Sequence, residues 1–299
     1  MACDKDEKMD DHLIRVVSPD GLFRAAAAIT TGLVRTICEK QQTDFTATVA
    51  LGRLLTGGAL LSCLLKGKQR LALAVEGNGP LGKMSVEADA EGKVRGTIRN
   101  PVVNLPPDGD HFDVAGAIGK AGFLHVWKDF GLKKPYQSMV QLQSSEVAED
   151  LAWYLTSSEQ VPSSIGLGVE LDSTGRVAVA GGFLVQSLPP GDSEQIDLLT
   201  ERIKELPPTT SLLRQGLTPT EVLARIFGSS GFHVEQTIPL QFFCPCNQVQ
   251  IEKMLIGLGR QELNSLLEGE EPVDVTCEYC RKHYTFNCEQ MGELIKLAK

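Results

Sequence analysis

The chain has 299 residues, of which 42% are hydrophobic and 22% charged, ordinary proportions for a globular protein of about two domains with ample length for a buried core. With 29 basic against 38 acidic side chains, net −9, its field repels phosphate backbones and anionic lipid, which disfavours a general nucleic-acid or membrane-surface role. The charge-free stretches 54–65 and 177–191 are too short, or too interrupted by Pro189 and Pro190, to span a bilayer, and the charged run from Asp4 to Asp11 is no secretory leader, so a cytoplasmic location is expected.

Apolar alternation over 70–75, 83–88 and 94–99 predicts short strands joined by glycine-containing turns, most simply a β-meander. Asp44 is placed to cap a helix running from Phe45 to about residue 65, with Val49, Leu54, Leu55 and Leu61 on its buried face. Residues 25–28, four alanines, have helical propensity, although their place after Pro19-Asp20-Gly21 also allows a strand. Val147, Leu151, Tyr154 and Leu155 recur at helical spacing and predict a second helix that stops before Pro162. Residues 164–171 and 176–186 flank Asp172-Ser173-Thr174-Gly175, a hairpin signal.

Composition shifts at Ser187-Leu188-Pro189-Pro190-Gly191, which is taken as the end of a first domain covering 1–187. A helical connector is expected over 188–231. Its apolar stripe is Ile196, Leu199, Ile203 and Leu206, ended by Pro207-Pro208, and Thr218-Pro219-Thr220-Glu221 has capping-box spacing with proline in the first turn. The remainder, 232–299, is small enough to be marginal without a staple.

That staple is legible. Five of the eight cysteines fall in the last 56 residues, with Cys244-Pro245-Cys246 and Cys277-Glu278-Tyr279-Cys280 separated by thirty residues. Two close pairs brought together by a short fold can place four thiolates around one Zn²⁺, the closed coordination of a structural site. His283 reads as a surface or outer neighbour because four sulfurs already complete the shell, and Cys288 reads as a bystander thiol beside packed aromatics. The ion would contribute about 10–16 kcal/mol to folding, so it either stabilises the tail statically or, if the thiolates are oxidised, acts as a switch whose loss unfolds it.

Three other motifs fail on context. Gly77-Asn78-Gly79-Pro80-Leu81-Gly82 matches G-x-G-x-x-G, but Pro80 and the alternation after it deny the helix that a dinucleotide phosphate needs; it reads as a hairpin loop. Gly119-Lys120-Ala121 lacks the hydroxyl of a P-loop, and Cys277-x-x-Cys280 precedes a strand rather than the helix start of a thioredoxin-like dithiol. A zinc ribbon that binds nucleic acid is the rival class, disfavoured by ten acidic against six basic residues in 232–299.

The order C-x-C, thirty residues, C-x-x-C, then Tyr284-x-Phe286 resembles the 33-kDa redox-regulated heat-shock chaperone family. Pro135-Tyr136-Gln137-Ser138, Ala148-Glu149-Asp150-Leu151-Ala152, Ser158-Glu159-Gln160-Val161-Pro162-Ser163, Ala180-Gly181-Gly182 and Phe243 resemble further landmarks of that family, so the likeness covers nearly the whole chain. It implies an α+β fold: a mixed α/β core with β-meander sheets, a helical linker and a small C-terminal zinc-binding domain, with residues 23–31 a strand. It implies a non-enzymatic, ATP-independent cytoplasmic holdase for unfolded or oxidatively damaged proteins, dimerising on activation. Carried over by residue, one zinc would sit on Cys244, Cys246, Cys277 and Cys280 in the reduced state. Oxidation would release it and pair Cys244 with Cys246 and Cys277 with Cys280. Cys3, Cys38, Cys63 and Cys288 depart from the family pattern. Ile196, Leu199, Ile203 and Leu206 are then candidate client-binding residues, because a docked stripe is exposed when its neighbour unfolds. A constitutive zinc-stabilised binding protein is the alternative.

Overall fold

The computed structural model describes residues 10–107, 109, 111–267 and 272–298. The chain divides into two compact units, Met1–Phe242 and Phe243–Lys299. The first runs β1 (His12–Val17), β2 (Phe23–Ile29), α1 (Thr31–Gln41), α2 (Phe45–Ser62), β3 (Arg70–Gly77), β4 (Lys83–Asp89), β5 (Lys93–Ile98), α3 (Val114–Ile118), β6 (Gly122–Asp129), β7 (Tyr136–Gln141), α4 (Val147–Ser157), β8 (Ser163–Leu171), β9 (Val177–Ser187), α5 (Ser193–Glu205), α6 (Thr209–Arg214), α7 (Pro219–Phe227), β10 (His233–Pro239) and β11 (Gln241–Phe242). The expected α+β class is what forms. One sheet has the order β10-β1-β2-β9-β8, the other β11-β5-β4-β3-β6-β7, and β5-β4-β3-β6 contains the meander read from the alternation.

Asp44 caps α2 by accepting from Ala47 N at 2.9 Å, and its second oxygen takes Val103 N and Asn104 N. The helix is apolar enough and long enough to cross a bilayer by composition, yet it lies inside the protein. A single buried face was expected; nearly every side is buried instead, because α2 packs against strands of both sheets. Gly57 and Gly58 permit that approach: a Cβ on them would stand 2.4 Å from Leu151 Cδ1 and 2.7 Å from Val86 Cγ1.

Residues 25–28 are a strand, as the family likeness implies and against their helical propensity. β2 lies between β1 and β9. Its Ala26 and Ala28 join the main core, whereas Ala25 and Ala27 enter a second cluster on the other face. Small side chains suit a strand covered on both sides, and tertiary context outweighs propensity. The second cluster is where the connector docks: Leu199 of α5, Leu212 of α6 and Val222, Leu223, Ile226 and Phe227 of α7 pack with Ile14, Val16, Phe23, Phe183 and Val185. The Thr218–Glu221 capping box forms with Pro219 in the first turn.

The unit boundary differs from the one read at 231/232. β10 pairs antiparallel with β1, β11 pairs parallel with β5, and Ile238 and Leu240 are buried in the main core. Residues 233–242 thus belong to the first unit, and sequence alternation alone did not reveal them as edge strands. The linker helices are likewise integral to that unit in this structure.

The literal G-x-G-x-x-G is the β3–β4 hairpin loop. Its Gly79 N donates to Ile118 O at 2.8 Å, and a Cβ there would meet Ala117 O and Ile118 C at 2.5 Å. Close backbone approach, not phosphate binding, explains the glycine.

Candidate metal centre

The second unit contains α8 (Gln248–Leu258), α9 (Arg260–Leu267), β12 (Val273–Thr276), β13 (His283–Phe286) and α10 (Cys288–Leu297). Its core is small. Ile251, Leu255, Leu263, Tyr284, Phe286, Met291, Leu294 and Ala298 are buried, with Cys246 and Cys277 packed at its margin.

Two loops present the thiols. Cys244-Pro245-Cys246 ends at Asn247, whose side chain caps α8 by accepting from Gln250 N at 3.0 Å. Cys277 and Cys280 occupy the turn between β12 and β13, an antiparallel pair in which Thr276 faces His283 and Val275 faces Tyr284. Cys277 N donates to Lys282 O and Arg281 N to Cys277 O, both at 2.9 Å, and Arg281 takes a left-handed conformation with φ 60°. The hairpin thus fixes both ends of the C-x-x-C.

The four Sγ atoms lie within 4.8 Å of one another. Cys244 and Cys277 are 3.7 Å apart, Cys246 and Cys280 3.2 Å, and none of the four is in a disulfide. Zinc–sulfur bonds of about 2.3 Å put tetrahedral sulfurs about 3.8 Å apart, so this donor set could hold a metal ion. Burial opposes ionisation of Cys246, but the Tyr284 hydroxyl and the neighbouring thiols donate to its sulfur and bring it down to about 7. Cys280 is pushed up to about 12, by burial first and then by its neighbouring thiols, against a backbone N–H from Lys282.

His283 is exposed and shares a 2.9 Å hydrogen bond between its Nδ1 and Thr276 Oγ1, away from the thiol group. Cys288 is exposed at the start of α10 and outside the cluster. Cys38 and Cys63 are buried in the main core, where burial pushes both thiols up to about 12; Cys3 lies outside the described residues. The connector stripe is divided: Leu199 is buried, whereas Ile196, Ile203 and Leu206 are partly buried against the second cluster.

Sequence reasoning placed the aromatics beneath the thiols but missed what Tyr284 does. Its hydroxyl donates to Cys246 Sγ at 3.2 Å. The signal available was the alternation in His283-Tyr284-Thr285-Phe286, which turns Tyr284 and Phe286 to the buried side.

A family profile described as Hsp33 protein matches residues 11–287. A protein named 33 kDa chaperonin from Syntrophotalea carbinolica is 52% identical over 287 residues, covering 96% of this chain and 100% of that protein. One of the same name from Geobacter sulfurreducens is 50% identical, covering 95% and 94%. The crystal structure of the 33 kDa chaperonin (heat shock protein 33 homolog) from Thermotoga maritima superposes with a TM-score of 0.89 at 37% identity, covering 96% of this chain and 98% of that one.

Proposed function

The chain belongs to the Hsp33 family of chaperones, and from that premise we propose that it is a redox-regulated, ATP-independent holdase, non-enzymatic, cytoplasmic, with one Zn²⁺ per chain in its reduced form. The observation that carries the reading is the convergence of Cys244, Cys246, Cys277 and Cys280 within 4.8 Å in a unit whose core is eight buried side chains. A reducing compartment suits a group of free thiols.

Bound Zn²⁺ supplies the charge compensation that lets four thiolates share one site. Peroxide oxidation, pairing Cys244 with Cys246 and Cys277 with Cys280, removes those ligands and with them the stabilisation of Phe243–Lys299. The disturbance passes along the chain through β11 and β10 to the docked helices α5–α7. Their release exposes Ile196, Leu199, Ile203 and Leu206 together with the sheet face carrying Ile14, Val16, Phe23, Phe183 and Val185. Contiguous apolar surface of that kind binds unfolding proteins without sequence preference, and it also suits self-association into a dimer. The net −9 charge supports a protein clientele over nucleic acid.

The test exposes reduced, zinc-loaded protein to peroxide at raised temperature and follows zinc release, thiol count and light scattering by an unfolding client. Zinc loss accompanied by suppression of scattering is expected. Zinc loss without it would leave a static, zinc-stabilised binding protein.

A further inference from the structure

We propose that Tyr284 is a positioning residue of the thiol centre, its hydroxyl holding a lone pair of Cys246 Sγ and making that sulfur less reactive toward electrophiles than it would be without the hydroxyl. The inference rests on the reading of the four cysteines as a redox-active metal centre and adds to it a residue outside the ligand set.

Three observations support it. The Tyr284 hydroxyl is 3.2 Å from Cys246 Sγ, within hydrogen-bond range for sulfur. The donor is held in place, because Tyr284 is only 7% exposed, lies in the middle of β13 opposite Val275 and packs in the tail core. Lys282 Nζ stands 5.1 Å from the centre of the Tyr284 ring, and a cation on the ring face draws electron density from the phenol and strengthens it as a donor. A hydrogen bond to an ionised acceptor is among the stronger ones.

The chemistry follows from where the electrons must go. A thiolate sulfur attacks one peroxide oxygen, the O–O bond breaks, hydroxide leaves and a sulfenic acid forms. A second thiolate then attacks the sulfenic sulfur, the S–S bond forms and a second hydroxide leaves. Two thiolates are oxidised to one disulfide and the peroxide is reduced. Each attack uses a sulfur lone pair, so a donor engaging that pair slows attack by Cys246; Cys280, 3.2 Å away, accepts a backbone N–H from Lys282 that the substitution leaves in place, which makes it a fixed reference.

The test compares wild type with Tyr284→Phe, which keeps the ring and removes the hydroxyl, in the reduced, metal-loaded full chain. Zinc content is measured first. Alkylation by iodoacetamide is then resolved by residue in the mass spectrometer, with Cys280 of the same molecule as internal reference. The Cys246-to-Cys280 rate ratio is expected to rise roughly ten- to a hundredfold on loss of one charge-assisted hydrogen bond. In the Co²⁺-substituted protein the sulfur-to-cobalt charge-transfer band is expected to move to lower energy. Replacement of Tyr284 by a ring-fluorinated tyrosine, a stronger donor, is expected to move both readouts the other way, and it serves also if the phenylalanine variant folds poorly. An unchanged ratio and an unchanged band in both variants overturn the role of Tyr284 while leaving the metal centre standing. A wild-type protein that binds no metal overturns the centre itself.

Discussion

Truncating Leu223 to alanine separates linker release from loss of the metal. Leu223 is fully buried on α7, in the cluster that docks the connector on the five-stranded sheet, and it is not part of the α5 stripe. Removing three buried carbons from such a site costs about 3 kcal/mol, within the range for leucine-to-alanine changes in cores. If α5–α7 open as one unit, the open population rises roughly 100-fold. The four-cysteine group and the stripe are untouched by the substitution. Hydrogen exchange of the α5–α7 amides should accelerate by that factor under reducing conditions, while β12–β13 amides keep their wild-type protection. The reduced, zinc-loaded variant should then suppress client light scattering without peroxide. Fast exchange in α5–α7 with no gain of anti-aggregation activity would refute the assignment of the client surface to the stripe and the sheet beneath it.

Further outcomes are expected from other parts of the structure. Chelation of the metal from reduced protein should abolish exchange protection in Phe243–Lys299, because the binding free energy at stake, about 10–16 kcal/mol, is as large as the whole stability of a typical domain; retained protection would contradict this. Asp44→Ala should lower stability by about 2–3 kcal/mol, read from denaturant midpoints, since it removes a helix cap and orphans the Val103 and Asn104 N–H groups. Gly79→Ala should also destabilise, because its Cβ would strike the Ala117 carbonyl oxygen at 2.5 Å; an unchanged melting temperature would show that the loop yields freely. Burial holds Asp150 above the ordinary carboxylate range even though Gln143 N and Ser144 N donate to it. Its charged form therefore burdens the fold at neutral pH, and the burden is relieved as pH falls through its raised value. Asp150→Asn should stabilise the protein near neutral pH by an amount that vanishes in acid, as followed by thermal melts across pH.

Much of this was legible in the sequence because the signals were local. The Asp44 cap, the Thr218–Glu221 box, the β8–β9 hairpin around Asp172 and the C-x-C and C-x-x-C pairs each lie within a few residues of what they specify. Non-local partners were not readable. The alanines of β2 became a strand through β1 and β9 paired along its two edges, which lie far apart in sequence, and through the two clusters that cover its faces. Residues 233–242 joined the first unit through pairing with β1 and β5, more than a hundred residues away. Helix α1, strands β6 and β7 and the tail helices α8–α10 were passed over, and the Tyr284 hydroxyl bond depends on a fold that brings β13 against the C-x-C loop.

The cores of the two units differ in a way that bears on the proposed switch. Among the described residues the main cluster of the first unit contains 43 buried apolar side chains drawn from both sheets and the helices between them. Its Cys38 and Cys63 thiols are shielded and held protonated by burial, which makes them poor nucleophiles. Among the described residues the tail cluster contains eight buried side chains, and the four clustered sulfurs are partly exposed. An oxidant that attacks thiolates therefore finds its accessible targets in the unit with the smaller core. The proposed switch would be confined to the tail and connector by this distribution of burial, provided that the docked helices α5–α7 cost less to release than the sheets cost to unfold. Each of those helices places between one and four buried side chains in the second cluster, at about 1.5–3 kcal/mol apiece when fully buried, against 43 in the main cluster, so releasing them gives up far less burial than opening the sheets.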